Sequence, residues 1–254
     1  MAYVFPYRDL TWELVHRELR VRYRRSVIGF TWTMLQPLLM MGVMNIAFST
    51  LFKFNIANYP VYVLSGLLFW NFFSQSIIAS MNSLRVNSHL IQKLPVPKSV
   101  FPLAVVISGV INLLLALLPL LGLLLVTGHP LHLSLLFLPV SIFIAALFTL
   151  GAGLLLAPLA VFFHDIVELI GVILQTILFL TPIMYPMAIV PPRWHWIVRF
   201  NPVRSILEVF RDPIFNDKIP PASHLMVASS LAIGLFALGV FAFGRTSRRI
   251  TLYL

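Results

Sequence analysis

From Ser99 to His164 the chain runs 66 residues without a lysine, arginine, aspartate or glutamate. A charged side chain at the middle of a bilayer costs about 2.5–3.5 kcal/mol on insertion scales, and a helix needs about 20 apolar residues to cross. Such a stretch, punctuated only by Gly128-His129-Pro130, holds two crossings. Charged residues make up 10% of the whole chain and hydrophobic ones 59%, against roughly 25% charged in soluble domains. The expectation is one polytopic, all-helical membrane domain over residues 1–254. A net charge of +10 does not point to nucleic acid, because the 18 basic residues gather at the ends of apolar runs, where anionic lipid and the positive-inside rule account for them. With no cysteine, there is no disulfide framework and no thiolate metal site. Six arginines precede the first apolar stretch, which is too long for a signal peptide and is read as a true span.

Charge-free windows predict six spans at about 26–52, 61–84, 99–127, 131–163, 166–181 and 221–244. Residues 8–25, 85–98 and 245–249 hold twelve of the 18 lysines and arginines, and the opposite flanks hold six. That asymmetry places both termini in the cytoplasm.

Ahead of the first span, residues 9–25 read as an amphipathic helix. Leu10, Leu14, Val15 and Leu19 share one face, and Glu13 with Arg17 and Glu18 with Arg22 are i,i+4 pairs on the other. With Trp12, Arg17, Arg22, Arg24 and Arg25 it is expected along the inner leaflet, as a fixed anchor or as a moving element.

The cytoplasmic loop 85–98 has room for one short helix, about 87–94, capped by Asn87 or Ser88 and stopped by Pro95. It should expose Leu90, Ile91 and Leu94, either to dock another protein or to lie back on the bilayer. In the next cytoplasmic turn, His164 beside Asp165 has the composition of a proton-shuttling pair. Asp165 with Glu168 three residues on also has capping-box spacing, and that reading is preferred.

Residues 166–181 cover only about 24 Å at helical rise, short of a ~30 Å hydrocarbon core. Pro182, Pro186, Pro191 and Pro192 follow, so the crossing must be completed by broken helix. Irregular backbone at that depth is tolerated only where protein buries it or a wet cavity lines it, which makes about 182–200 a candidate re-entrant outer gate. Trp194 and Trp196 suit the interface there. Arg204–Glu208 and Glu208–Arg211 have ion-pair spacing; for Arg193 and Arg199, pairing and an anionic head group are both open. The 33 aromatic residues suit lipid-facing belts. Where they line a path, Phe30, Trp32, Phe69, Trp70, Phe73, Pro182 and Tyr185, with Arg193 and Arg199, are the candidate channel and gate residues.

No G-x-x-x-x-G-K-[ST], H-E-x-x-H or G-x-S-x-G occurs, and all eight acidic residues lie in flanks or loops. Without membrane-embedded acids a proton- or sodium-coupled carrier is disfavoured, and the power source should be external. His129 and His132 fall at an outer turn and read as interfacial.

Taken in order, Arg22-Tyr23-Arg24-Arg25-Ser26 with Gly29 and Trp32, Gln36-Pro37-Leu38, Leu90-Ile91-Gln92-Lys93 with Pro97, Phe101-Pro102, Thr181-Pro182 with Tyr185-Pro186, and Asn201-Pro202 resemble the transmembrane subunit of ABC-2 type exporters of polysaccharides and polyol phosphates. Two departures stand out: His164 where relatives often carry Arg, and Val96-Pro97-Lys98 for Phe-Pro-Arg. The resemblance implies a non-catalytic half-transporter in the cell (inner) membrane, a homodimer served by two copies of a separate ATPase that binds ATP and Mg. No cofactor is expected on this chain, and no nucleic acid. It implies a lipid-linked glycan as cargo, O-antigen first, then capsule or teichoic acid polymer. Asn87, His89, Leu90, Ile91, Lys93 and Leu94 would form the helix coupling it to the ATPase. The alternatives are an ABC-2 exporter of drugs or small lipids, and an intramembrane transferase using His164-Asp165.

Overall fold

A computed structural model describes residues 7–23, 29–51, 56, 58–93, 95–128 and 132–253, and all regular structure among them is helical. Among the described residues ten α-helices follow one another: α1 (Arg8–Tyr23), α2 (Trp32–Asn45), α3 (Tyr59–Val86), α4 (Ser88–Lys93), α5 (Val100–Val126), α6 (Leu138–Phe162), α7 (Ile166–Leu180), α8 (His195–Arg199), α9 (Pro202–Phe215) and α10 (Ala222–Tyr253). Among the described residues, four helical segments are long and apolar enough to cross a membrane: Tyr59–Val86, Val100–Val126, Leu133–Phe162 and Ala222–Ser247.

The other two expected spans come out short. Window 26–52 holds a 3-10 turn (Gly29–Thr31), α2, and a π-helical turn (Ile46–Leu51), while 166–181 yields the 15-residue α7. Both sequences are apolar enough, but Pro37 sits inside α2, and Thr181-Pro182 stops α7. In contrast, α10 continues past residue 244, since Arg245 to Tyr253 contains neither glycine nor proline to end it.

Helix α3 is the hub, packed by α2, α5, α6, α7 and α9 and buried for most of its length. Serines at 65, 76, 80 and 83 keep its surface narrow, so neighbouring backbones come close. Ser65 and Ser83 return their hydroxyl protons to carbonyls of their own helix, leaving no exposed polar cost.

The α6–α10 seam is closer still. A Cβ added to Gly151 would stand 2.6 Å from the Phe236 amide nitrogen, and one on Gly239 would run into the Gly151 carbonyl. Because backbone cannot move aside as a side-chain tip can, Gly151→Leu should push the helices apart at a cost of about 1–3 kcal/mol or more. The purified protein should then melt lower by about 2–4 °C per kcal/mol; an unchanged melting temperature would show that the seam opens freely.

Helix α1 does not offer its apolar side to lipid as expected. Leu14 and Val15 are buried and Leu10 and Leu19 half-buried, with α5 as the covering element. Apolar area of that size is better covered by a neighbouring helix already in place than by a fluctuating head-group layer. Trp12 remains exposed.

Candidate functional site

Proline in a helix frees the carbonyl four residues back, and at membrane depth that carbonyl needs another donor. Pro213 in α9 does this to Val209, and Ser141 of α6 supplies the hydroxyl at 2.8 Å; Ser134 likewise donates to the Pro213 carbonyl at 3.0 Å. The same demand is larger after α7, where residues 181–185 form bends and turns and 181–184 are buried. Three side chains meet it. Arg211 donates from Nη1 to the Pro182 carbonyl (2.8 Å) and from Nη2 to that of Ile183 (3.1 Å). Tyr62 donates toward the carbonyls of Pro182 (3.0 Å) and Tyr185 (2.9 Å), and Tyr59 to that of Met184 (2.7 Å). The Arg211 guanidinium, 5% exposed, lies 4.0 Å from the centroid of the Tyr62 ring, whose π face offsets part of its charge. Gly66 makes room for this cation, since a Cβ there would run into its Nη2.

Asn201-Pro202 closes the same end. Asn201 Oδ1 accepts from the Val203 amide (3.0 Å), its Nδ2 donates to Thr181 Oγ1 (2.8 Å), and Thr181 Oγ1 donates to the Ile177 carbonyl (2.7 Å). One asparagine therefore caps α9 and ties it to the end of α7.

The basic flanks collect at the opposite end. Tyr7 donates to the Pro95 carbonyl (3.2 Å), Arg17 bonds Asn87 Oδ1, and Lys98 bonds the Ser247 carbonyl. Asn87 does not cap α4 with its side chain: Nδ2 donates to the Ser83 carbonyl (2.7 Å), and it is the Asn87 backbone carbonyl that accepts from Leu90 and Ile91. Ile91 is 6% exposed and Leu90 half-buried against the core, so α4 turns its apolar side inward and presents His89, Gln92 and Lys93 outward.

Between α2, α3 and α5 lies a cleft of about 290 Å3. Thr33 and Gln36 reach it from α2, Asn71, Gln75 and Ser76 from α3, and Asn112 from α5, with Trp32 at its edge. Among the described residues, no Asp, Glu, Lys or Arg lines it.

Against this geometry, residues 9–215 match the family model described as ABC-2 type transporter. The chain belongs to the ABC-2 type transporter family. Among curated proteins this ABC-2 chain is similar to the O-antigen export system permease protein RfbA of Myxococcus xanthus, 30% identical over 91% of this chain and 90% of that protein. It is also similar to RfbA of Klebsiella pneumoniae (29% identical; 85% of this chain, 83% of that one). A more distant relative is the polysialic acid transport protein KpsM of Escherichia coli (22% identical over 78% of each). The chain is thus a multi-pass membrane subunit of transporter type.

Several site expectations for the ABC-2 chain change. Phe69, Trp70 and Phe73 line no path through it: all three are buried, with Phe69 against Phe73 at 6.0 Å and Phe210 at 5.9 Å, and Phe73 against Trp70 and Phe148 at 5.7 Å. A helix packed on most sides has no free face to give a channel. Trp32 is 49% exposed and keeps its candidacy; the side chain of Phe30 lies outside the described residues. Arg211 neither pairs with Glu208 nor awaits a head group, because the backbone carbonyls claim it first, whereas Arg204 and Glu208 do pair at 2.7 Å. Pro182 is buried in the tied segment, and Tyr185 donates to the Phe179 carbonyl at 2.7 Å. Arg193 sits 5.6 Å over the Trp194 ring, and Arg199, Trp194 and Trp196 are exposed.

The expectation for α4 is also corrected: its docking surface cannot be Leu90 and Ile91, since the chain's own core takes them. Arg17 approaches Glu18 (3.6 Å) and bonds Asn87 instead of pairing with Glu13. Arg22's side chain, Arg24, Arg25 and Leu94 lie outside the described residues. Asp165 precedes α7 but makes no side-chain cap bond, because its backbone is already helical (φ −77°, ψ −11°) and does not aim the carboxylate at the first amides. His164 is exposed. His129 lies outside the described residues, and His132 approaches Asp217 at 3.7 Å.

Sequence reasoning missed Tyr59 and Tyr62, whose hydroxyls one turn apart beside Asn58-Tyr59-Pro60 were the available signal. It also missed Gln36, Asn71, Gln75 and Asn112, amides standing inside otherwise apolar spans.

Proposed function

We propose that this chain is the membrane-spanning subunit of an ATP-driven exporter that moves a lipid-linked polysaccharide, O-antigen first, out of the cytoplasm through the cell (inner) membrane. Two copies pair, and a separate cytoplasmic ATPase, also in two copies, binds ATP and Mg; this chain carries no catalytic residue. The observation that carries the reading is alignment over nine tenths of both chains with a permease named for O-antigen export. Helices α2 and α7 support pairing, because each buries a single residue, Pro37 and Leu174, within its own chain. With their crossings the count is six, both termini lie in the cytoplasm, and about 182–200, opening on the tied segment, forms the outer gate. Helix α1 is the interface helix. Helix α4 is the coupling helix, reaching the ATPase through His89, Gln92 and Lys93, with Asn87 and Arg17 bracing it from behind.

Since the chain has no cysteine, single cysteines report sidedness cleanly. In sealed cells His89→Cys should react with an impermeant maleimide only after the membrane is opened, and Arg193→Cys before it. Co-expression with a cognate cytoplasmic ABC ATPase should place polymer on the cell surface, and ATP-site mutation of that partner should stop it. Labelling of His89→Cys from outside, or export without the ATPase, rules the assignment out.

A further inference from the structure

A second groove, of about 540 Å3, lies between α5 and α6, with Trp12 of α1 on its rim. Val106, Ile142 and Leu150 form its floor, and the exposed Leu114 and Phe143 share the rim with Trp12. Apart from the Trp12 indole nitrogen, the described side chains of the lining are hydrocarbon, so a hydrocarbon chain laid there gains packing contacts that fluid lipid does not supply. Helix α3 sets the scale of depth. A Cβ on Gly109 of α5 would run into Ser76 of α3, and one on Gly153 of α6 would run into Ser80. Ser80 lies one turn beyond Ser76 and α5 runs back against α3, so Gly153 is level with Val105. Leu103, at one end of the groove, stands two positions from Val105 toward the basic end, and Pro139, at the other, stands fourteen positions from Gly153 away from it. At helical rise the groove is therefore about 24 Å long. One leaflet offers about 15 Å, half of a ~30 Å hydrocarbon core. A chain that fills the groove runs past the midplane.

The α1 side of the groove adds a charge. Arg8, Trp12, His16 and Arg20 follow one another at i,i+4 spacing and form a single exposed stripe of α1. Neither Arg8 nor Arg20 makes an ion pair with a described residue. Asp9 and Glu13 stand on the adjoining stripe, so what is offered beside Trp12 is the Arg8 guanidinium one turn away, not the charge of α1 as a whole. The Trp12 ring favours the boundary between head groups and hydrocarbon. A guanidinium at that boundary suits phosphate, which it meets with paired donors. A phosphate-headed hydrocarbon chain longer than one leaflet is deep satisfies both ends of this arrangement. We infer that the α5–α6 groove holds the lipid chain of the glycan cargo, with the phosphate end at Arg8. This rests on the lipid-linked polysaccharide reading above and deepens it, since it names the chemistry of the carrier and the helices that hold it.

The test uses the purified complex with its ATPase, titrated with a long-chain polyprenyl phosphate, with farnesyl phosphate as a short-chain probe and phosphatidylglycerol as an ordinary anionic lipid; bound lipid is counted by native mass spectrometry. The long chain should bind at least tenfold more tightly than either of the others. Val110→Phe and Ala146→Phe fill the groove from its two helices, and each should weaken long-chain binding at least tenfold at an unchanged melting temperature. Phe143→Ser, at an exposed rim position, covers the case in which the filled variants misfold, and should also weaken it. Arg8→Gln should weaken binding severalfold and Arg20→Gln should not. Equal binding of farnesyl phosphate overturns the inference, and so does equal binding of phosphatidylglycerol, which would make the groove a site for bulk lipid. Unaltered binding in folded Val110→Phe and Ala146→Phe places the chain elsewhere. Disulfide trapping between two copies through Phe143→Cys would make the groove a contact between copies and overturns it as well. Any of these results in a complex that still exports glycan in cells leaves the proposed function standing; absence of glycan export by the wild-type complex removes that function too.

Discussion

Arg211→Met is expected to cost about 2–5 kcal/mol and to leave little folded protein in the membrane. Removing the guanidinium orphans the buried Ile183 carbonyl, leaves Pro182 with the Tyr62 hydroxyl alone, and abolishes the contact with the Tyr62 ring. The segment it holds has no helical hydrogen bonds of its own to fall back on, because residues 181–185 are bends and turns. Arg211→Lys should recover only part of the loss, since an ammonium lacks the fork that reaches two carbonyls at once. Tyr62→Phe should cost about 1–3 kcal/mol by leaving the Tyr185 carbonyl unpaired. Yield, melting temperature in detergent and proteolysis between residues 181 and 200 are the measurements. If Arg211→Met folds and melts as wild type but fails to transport, Arg211 belongs to the transport path, and its carbonyl contacts are incidental.

The second large effect is at α4. Ile91→Asp should cost several kcal/mol by placing a carboxylate where the side chain is 6% exposed and packed among apolar neighbours. Expression of the membrane subunit itself should fall. Lys93→Glu, two residues on, on the opposite face of α4 and exposed, should leave expression and melting unchanged and lower ATP turnover stimulated by the membrane subunit. A folded Ile91→Asp protein that merely loses its ATPase would return the docking surface to the apolar side of α4.

Much of this was legible because a bilayer reads composition. Val100–Val126 and Leu133–Phe162 emerge within a residue or two of the predicted boundaries, as any segment of that apolarity and length must. The broken stretch after Thr181 was equally visible, since four prolines in eleven residues leave no other backbone. What failed were statements about faces. Phe69, Trp70 and Phe73 in α3 and Leu90 and Ile91 in α4 have the same residue types whether they meet lipid, a partner or their own chain. In a membrane the hydrophobic signal that marks inside from outside in water is weak, because lipid and core are both apolar.

The order of apolar and charged segments thus determined the helices, the breaks, the basic end and, through its ordered motifs, the family, because transfer into hydrocarbon depends on which groups a segment carries and little on what they touch. Only the folded chain decided that Arg211 holds backbone instead of a carboxylate, that Ile91 is core, and that amides from three helices line one cleft. Those outcomes depend on distance between residues far apart in sequence, 29 positions for Arg211 and Pro182, and no local pattern carries that information.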